Sequence, residues 1–181
     1  MAEEHVALGS VAEKRLVEFR AGRAAARCAL AALGIPSGPI LPGADRVPRF
    51  PDGIVGSISH CSAHVFAAVA RKGDMGGLGV DVEDDLALDP GLIDVVTTEA
   101  ERRVCTMELA RWATLAFSAK EAVFKCWYTC GGGRLADFHE FELRLDPDGA
   151  VHVQIQPDPQ MAIDVRWTRA HGSYWVVARL R

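Results

Sequence analysis

The sequence predicts an α+β fold with antiparallel sheets. Helical and strand-like segments follow one another as helix, strands, helix, helix, strands, an order that does not suit a doubly wound sheet. Short turns rich in Gly, Asp and Pro join the strand-like runs, which is the mark of hairpins. The order helix-then-strands occurs roughly twice, without a sequence repeat. The 181 residues make one domain, or two small halves packed as one. With 49% hydrophobic and 24% charged residues, the composition is that of a globular chain.

Residues 10–33 read as the first helix. Leu16, Phe19, Arg23, Ala26, Leu30 and Leu33 recur at helical spacing, and Gly34 with Pro36 stops the run. Lys14, Arg15, Arg20, Arg23 and Arg27 make this helix locally basic. Residues 35–53, rich in Pro and Gly, form a loop that carries Arg46 and Arg49. Strand-like runs follow at Ile54–His60, Val65–Ala70 and Leu78–Glu83, with a turn at Gly73–Gly77 between the last two. Pro90-Gly91 opens a helix through about Val104. The strongest helical stretch is 107–129, free of Gly and Pro and closed by Gly131-Gly132-Gly133. Phe138–Leu145 and Val151–Ile155 alternate around Asp146-Pro147-Asp148-Gly149, a hairpin signal. Ile163–Thr168 and Tyr174–Leu180 form a second hairpin around His171-Gly172.

A net charge of −4 speaks against a bulk nucleic-acid binder. Five cysteines with no C-x-x-C speak against a disulfide framework or a four-cysteine zinc site. No apolar run is long enough to span a membrane, and the acidic N-terminus lacks a secretory pattern, so a cytoplasmic protein is expected.

Three carboxylates stand out. Asp81 and Glu83 lie two apart in Gly79-Val80-Asp81-Val82-Glu83, so a strand points both to one face. A hard divalent cation would explain two acids on an apolar strand. A strand end running into Asp84-Asp85 explains them equally well. Glu121 and Lys125 share a face of the helix 107–129, either as a surface ion pair or as part of a site. Ser59 and His60 are neighbours on a strand and point to opposite faces, so they make no catalytic dyad. Neither His60 with His64 nor Cys126 with Cys130 completes a metal motif. Taken together, cationic segments and clustered carboxylates suit a phosphate-rich ligand with a bridging metal.

Gly79-Val80-Asp81-Val82-Glu83 and Phe117-Ser118-Ala119-Lys120-Glu121-Ala122-Val123-Phe124-Lys125 resemble the two signature motifs of the 4'-phosphopantetheinyl transferases, in their order and separation. Gly56-Ser57-Ile58-Ser59-His60-Cys61 resembles the family's Ser-x-Ser-His element. Arg15, Phe19, Arg23 and Arg27 at four-residue spacing, with Pro48-Arg49-Phe50-Pro51, are similar to the longer class that serves siderophore, nonribosomal peptide and polyketide synthases.

The resemblance implies two like halves of helix plus antiparallel sheet related by pseudo-twofold symmetry, here 1–84 and 85–181, with the first half shortened. It implies a monomeric, Mg²⁺-dependent enzyme, with Mn²⁺ as the alternative ion. Such an enzyme moves phosphopantetheine from coenzyme A to a serine of an acyl or peptidyl carrier protein and releases 3',5'-ADP. Asp81, Glu83 and Glu121 would hold the metal, with Glu121 also the base. Lys125 and Lys120 would neutralise the diphosphate. Arg15, Arg23 and His60 would lie near the coenzyme A phosphates, and Ser59 beside the adenosine 3'-phosphate. Arg46 or Arg49 stands where relatives often carry a lysine. Two other readings are a non-catalytic coenzyme A or carrier-protein binding module and a metal-dependent phosphohydrolase.

Overall fold

The computed structural model describes Glu4 and residues 12–105, 107–132 and 137–180. Helix α1 spans Glu13–Ala32 and buries Gly22, Arg23, Ala26 and Leu30, one stripe at helical spacing. It starts three residues later than the periodicity suggests; residues 10 and 11 lie outside the described part. Strands β1 (Ile54–His60) and β2 (Val65–Arg71) pair antiparallel as a two-stranded sheet under α1. A Cβ at Gly22 would stand 2.9 Å from Ile58 Cγ2, so α1 lies close on β1. Ala26, Leu30, Ile40 and Ile54 form the small core between them.

The second sheet has five strands in the order β3-β7-β6-β5-β4, all antiparallel. They are β3 (Gly77–Asp84), β4 (Phe141–Leu145), β5 (Ala150–Ile155), β6 (Asp164–Ala170) and β7 (Ser173–Leu180). Phe138–Glu140, expected as the start of β4, is instead a 3-10 turn. The helix expected from Pro90 to about Val104 is two: α2 (Pro90–Val96) and α3 (Glu99–Arg103). Thr98 caps α3 in a reciprocal capping box with Glu101, which makes a new start of what the apolar pattern joins. Helix α4 spans Leu109–Trp127 and runs on into a widened π turn, Tyr128–Gly132. Leu115, Ala119, Val123 and Trp127 of α4 pack with Phe141, Val165 and Val176 in the main core.

The division into halves at residue 84 needs correction. β3 pairs along its length with β7, from Gly77↔Leu180 to Asp84↔Ser173. It therefore belongs to the second sheet, and the first half carries only β1 and β2 as sheet among the described residues. The halves meet along β1 and β3 through side chains. Ser57 Oγ accepts the Val80 N–H at 3.0 Å, and Ser59 Oγ donates to Asp81 Oδ1 at 2.7 Å. Ser57 thus satisfies a backbone N–H of β3, and Ser59 holds a β3 side chain. No helix among the described residues is long and apolar enough to cross a membrane.

Candidate active site

The close approach of α4 to β3 builds the carboxylate cluster. A Cβ at Gly79 would stand 1.9 Å from Ala122 O, so only glycine lets the helix backbone lie against the strand there. That contact brings Ser118, Glu121 and Lys125, spaced along one face of α4, to the side chain of Asp81. Asp81 is only 2% exposed. Its Oδ1 accepts from Ser59 Oγ at 2.7 Å and from Lys125 Nζ at 2.6 Å, and its Oδ2 accepts from Ser118 Oγ at 2.8 Å. Lys125 Nζ also lies 3.3 Å from Val80 O and 3.9 Å from Glu121 Oε2.

The electrostatics show that the three acids share one space. Burial, then the negative charge of Asp81, pushes the Glu83 carboxyl up to about 7, with Lys125 opposing. Burial also raises Glu121, where Lys125 opposes and Asp81 adds to the rise. Two carboxyls held above their ordinary range by burial and, less, by the charge of Asp81 make, with Asp81, an all-oxygen donor set suited to a hard divalent cation. As they stand, no three such side chains among the described residues are gathered tightly enough to hold an ion, and the ammonium of Lys125 neutralises Asp81. By donor chemistry the residues fit a metal; Asp81, Glu83 and Glu121 would hold it.

A cavity of about 500 Å³ opens between α1 and the 40–50 loop, lined among others by Arg15, Arg23, Arg46 and His60. Strand alternation explains how one strand serves two places. Ser57 and Ser59 of β1 turn toward β3, whereas Ile58 and His60 turn toward α1. His60 Nε2 stands 3.9 Å from Glu18 Oε2 in the cavity wall. Arg23 is buried, with its Nε donating to Ile40 O at 2.8 Å and its guanidinium 4.3 Å from the centre of the Phe19 ring. Burial lowers the Arg23 pKa.

A second cavity, about 430 Å³, shares Arg46, Pro48 and Ile58 with the first and extends to Phe124, Lys125, Tyr128 and Thr129. The two together run from the arginines to Lys125.

Several expected positions differ. Lys120 is not at this site. Its side chain is 0% exposed, and its Nζ donates to Glu101 Oε2 at 2.9 Å and Val96 O at 2.8 Å. Glu101 also accepts the Leu143 N–H at 2.8 Å, so the pair ties α4 to α3 and β4. An adjacent residue on a helix lies about 100° round from Glu121, which is why Lys120 turns inward. Ser59 does not line the arginine cavity; it bonds Asp81. Arg49 also stays out of that cavity, paired to Asp45 at 3.0 Å, while Arg46 lines both cavities. Ser118, Glu101 and Tyr128 were not singled out in the sequence. Ser118 carries a visible signal, three residues before Glu121 and seven before Lys125 on the same helical face.

Residues 3–70 match the family model for the 4'-phosphopantetheinyl transferase N-terminal domain, and residues 77–177 match that of the 4'-phosphopantetheinyl transferase superfamily. The chain belongs to this superfamily. Over 183 aligned residues it is 45% identical to the 4'-phosphopantetheinyl transferase Svp of Streptomyces mobaraensis, covering 94% of this chain and 74% of Svp. It is 38% identical to the 4'-phosphopantetheinyl transferase PptT of Mycobacterium tuberculosis, over 71% of this chain and 58% of PptT. It is 37% identical to enterobactin synthase component D of Salmonella typhimurium, over 68% of this chain and 53% of that protein. The two family models divide between residues 70 and 77, where β2 ends and β3 begins.

Proposed function

We propose that this member of the superfamily transfers the 4'-phosphopantetheine of coenzyme A to a serine of an acyl or peptidyl carrier protein and releases adenosine 3',5'-bisphosphate. The observation that carries the reading is Lys125, ion-paired to Asp81 and 3.9 Å from Glu121, lining one of two joined cavities whose other end is lined by Arg15, Arg23 and His60. The names of Svp and PptT support it.

In this reading Arg15, Arg23, Arg46 and His60 hold the phosphates of the adenosine end through charge-assisted bonds. Glu121 accepts the proton of the carrier serine hydroxyl. The serine oxygen bonds to the phosphorus that bears the pantetheine arm. The bond from that phosphorus to the bridging diphosphate oxygen breaks, and the bisphosphate leaves with its electron pair. Lys125 lies where it offsets charge developing on that oxygen. Mg²⁺, or Mn²⁺ in its place, held by Asp81, Glu83 and Glu121, supplies further neutralisation of the diphosphate when bound. Asp81 keeps its orientation through Ser59 and Ser118. The same reading takes the chain as a cytoplasmic monomer serving siderophore, nonribosomal peptide or polyketide assembly.

Chromatography of a reaction containing coenzyme A, Mg²⁺ and an apo carrier protein tests this. One adenosine 3',5'-bisphosphate released per carrier is expected. Release without any carrier, as from a phosphohydrolase, or no release with carriers of the acyl and peptidyl types, would overturn it.

A further inference from the structure

Arg46 sits in an unusual backbone conformation, with φ of +65° in the left-handed region that side chains other than glycine seldom adopt. Such a residue persists where its surroundings hold it. Here the loop folds back on itself: Gly43 N donates to Val47 O at 2.8 Å, Arg46 N donates to Gly43 O at 2.9 Å, and Pro42 bridges Pro48. Asp45, the preceding residue, is the hub. Its Oδ1 accepts the Val47 N–H at 3.1 Å, closing an Asx turn around Arg46, and Arg49 Nη2 lies 3.0 Å from both of its oxygens.

One further bond comes from the other half. Tyr128 Oη donates to Asp45 Oδ2 at 2.7 Å, across 83 positions of sequence. Tyr128 lies three residues beyond Lys125, at the end of α4, with its ring 6.0 Å from that of Phe124. It and Arg46 both line the second cavity. The contact therefore links the helix that carries Lys125 to the loop that carries Arg46.

We propose that Tyr128 is a positioning residue: through Asp45 it holds the Arg46 loop over the joined cavities and so sets the affinity for the phosphate-bearing end of the ligand. The inference rests on the transferase reading of those cavities. Tyr128 does not act on the reacting atoms in this account. Its hydroxyl works by fixing where the Arg46 guanidinium stands before ligand arrives, which spares the cost of ordering the loop on binding.

The test is a double-mutant cycle on coenzyme A binding, read by calorimetry on the full chain. Tyr128→Phe removes only the hydroxyl. It should weaken binding roughly three- to tenfold, the worth of one partly solvated hydrogen bond to a charged group. Turnover at saturating coenzyme A should stay at the parent's value. In an Arg46→Ala background the same change should have no further effect, because the group being positioned is gone. Asp45→Ala, which removes the acceptor together with the Asx turn and the Arg49 pair, should weaken binding at least as much as Tyr128→Phe, and Tyr128→Phe should add nothing to it. Unchanged binding in Tyr128→Phe, with a clear loss in Arg46→Ala, would overturn the proposal and leave the phosphate pocket standing. An equal loss from Tyr128→Phe with and without Arg46 would also overturn it, since Tyr128 would then act independently. Parent-like binding in Arg46→Ala itself would refute the pocket assignment beneath it, and the proposal with it.

Discussion

Lys125 Nζ lies 2.6 Å from Asp81 Oδ1, a cation from α4 set on a carboxylate of β3. Sequence spacing pairs Lys125 with Glu121, yet that separation is 3.9 Å. The shorter contact depends on Gly79, which lets α4 settle onto β3. The lysine thus offsets the charge of buried Asp81, and it lines the cavity assigned above to the diphosphate.

Lys125→Ala should slow transfer by about 10²–10³-fold, the usual loss when one group that stabilises developing charge is removed. In metal-free protein the same change leaves buried Asp81 with only the Ser59 and Ser118 hydroxyls. Its melting temperature should therefore fall, and added Mg²⁺ should restore it without restoring turnover. Parent-like turnover would return Lys125 to a structural role.

Lys120→Met should behave in the opposite way. Its partner Glu101 is also 0% exposed, so removing one member strands a buried charge. A loss of about 3–5 kcal/mol is expected in chemical denaturation. Specific turnover of the folded fraction should stay near the parent's, because Lys120 touches Glu101 and Val96 and not the joined cavities. A large turnover loss at parent stability would place Lys120 back in the site.

Glu83 gives the pH dependence. Its carboxyl rises from an ordinary 4.5 to about 7 in the folded protein, through burial and then Asp81. The folded state therefore binds the proton more tightly than the unfolded state. Its contribution favours folding below the unfolded value and is lost as pH rises from about 4.5 to 7. Melting temperature against pH should fall over that window without Mg²⁺. Glu83→Gln should flatten this part of the profile, and an unchanged profile in that variant would contradict the assignment.

Coenzyme A should bind more tightly than its dephospho form by about 1.5–3 kcal/mol, the worth of a charge-assisted contact to the extra phosphate. Arg15, Arg23 and His60 line one cavity, which is the basis for this. Equal calorimetric affinities would remove the adenosine end from that cavity.

Much of this was legible in the sequence because it rests on period. Alternation placed β1 and its opposed Ser59 and His60, and spacing in α4 put Glu121 with Lys125. What the sequence hid is set by distances between elements. Nothing local says that β3 joins β7 nearly a hundred residues later, so the half boundary fell on the wrong side of it. Lys120 beside Glu121 reads as a second site lysine until Glu101, on a separate short helix, is seen to hold it. The Thr98–Glu101 capping box was available as a signal of that helix. Asp45 meeting Tyr128 had no signal at all, since an exposed loop and a helix end follow no shared pattern.

The most direct test is intact-mass spectrometry of an apo carrier protein incubated with coenzyme A, Mg²⁺ and either the parent chain or Glu121→Gln. Glutamine keeps the size and one oxygen of Glu121 but cannot accept the serine proton. The account predicts that the parent adds one phosphopantetheine mass per carrier, and that Glu121→Gln does so about 10²–10⁴-fold more slowly while still binding coenzyme A. No mass gain with the parent, or a Glu121→Gln rate equal to the parent's at ordinary Mg²⁺, would contradict it.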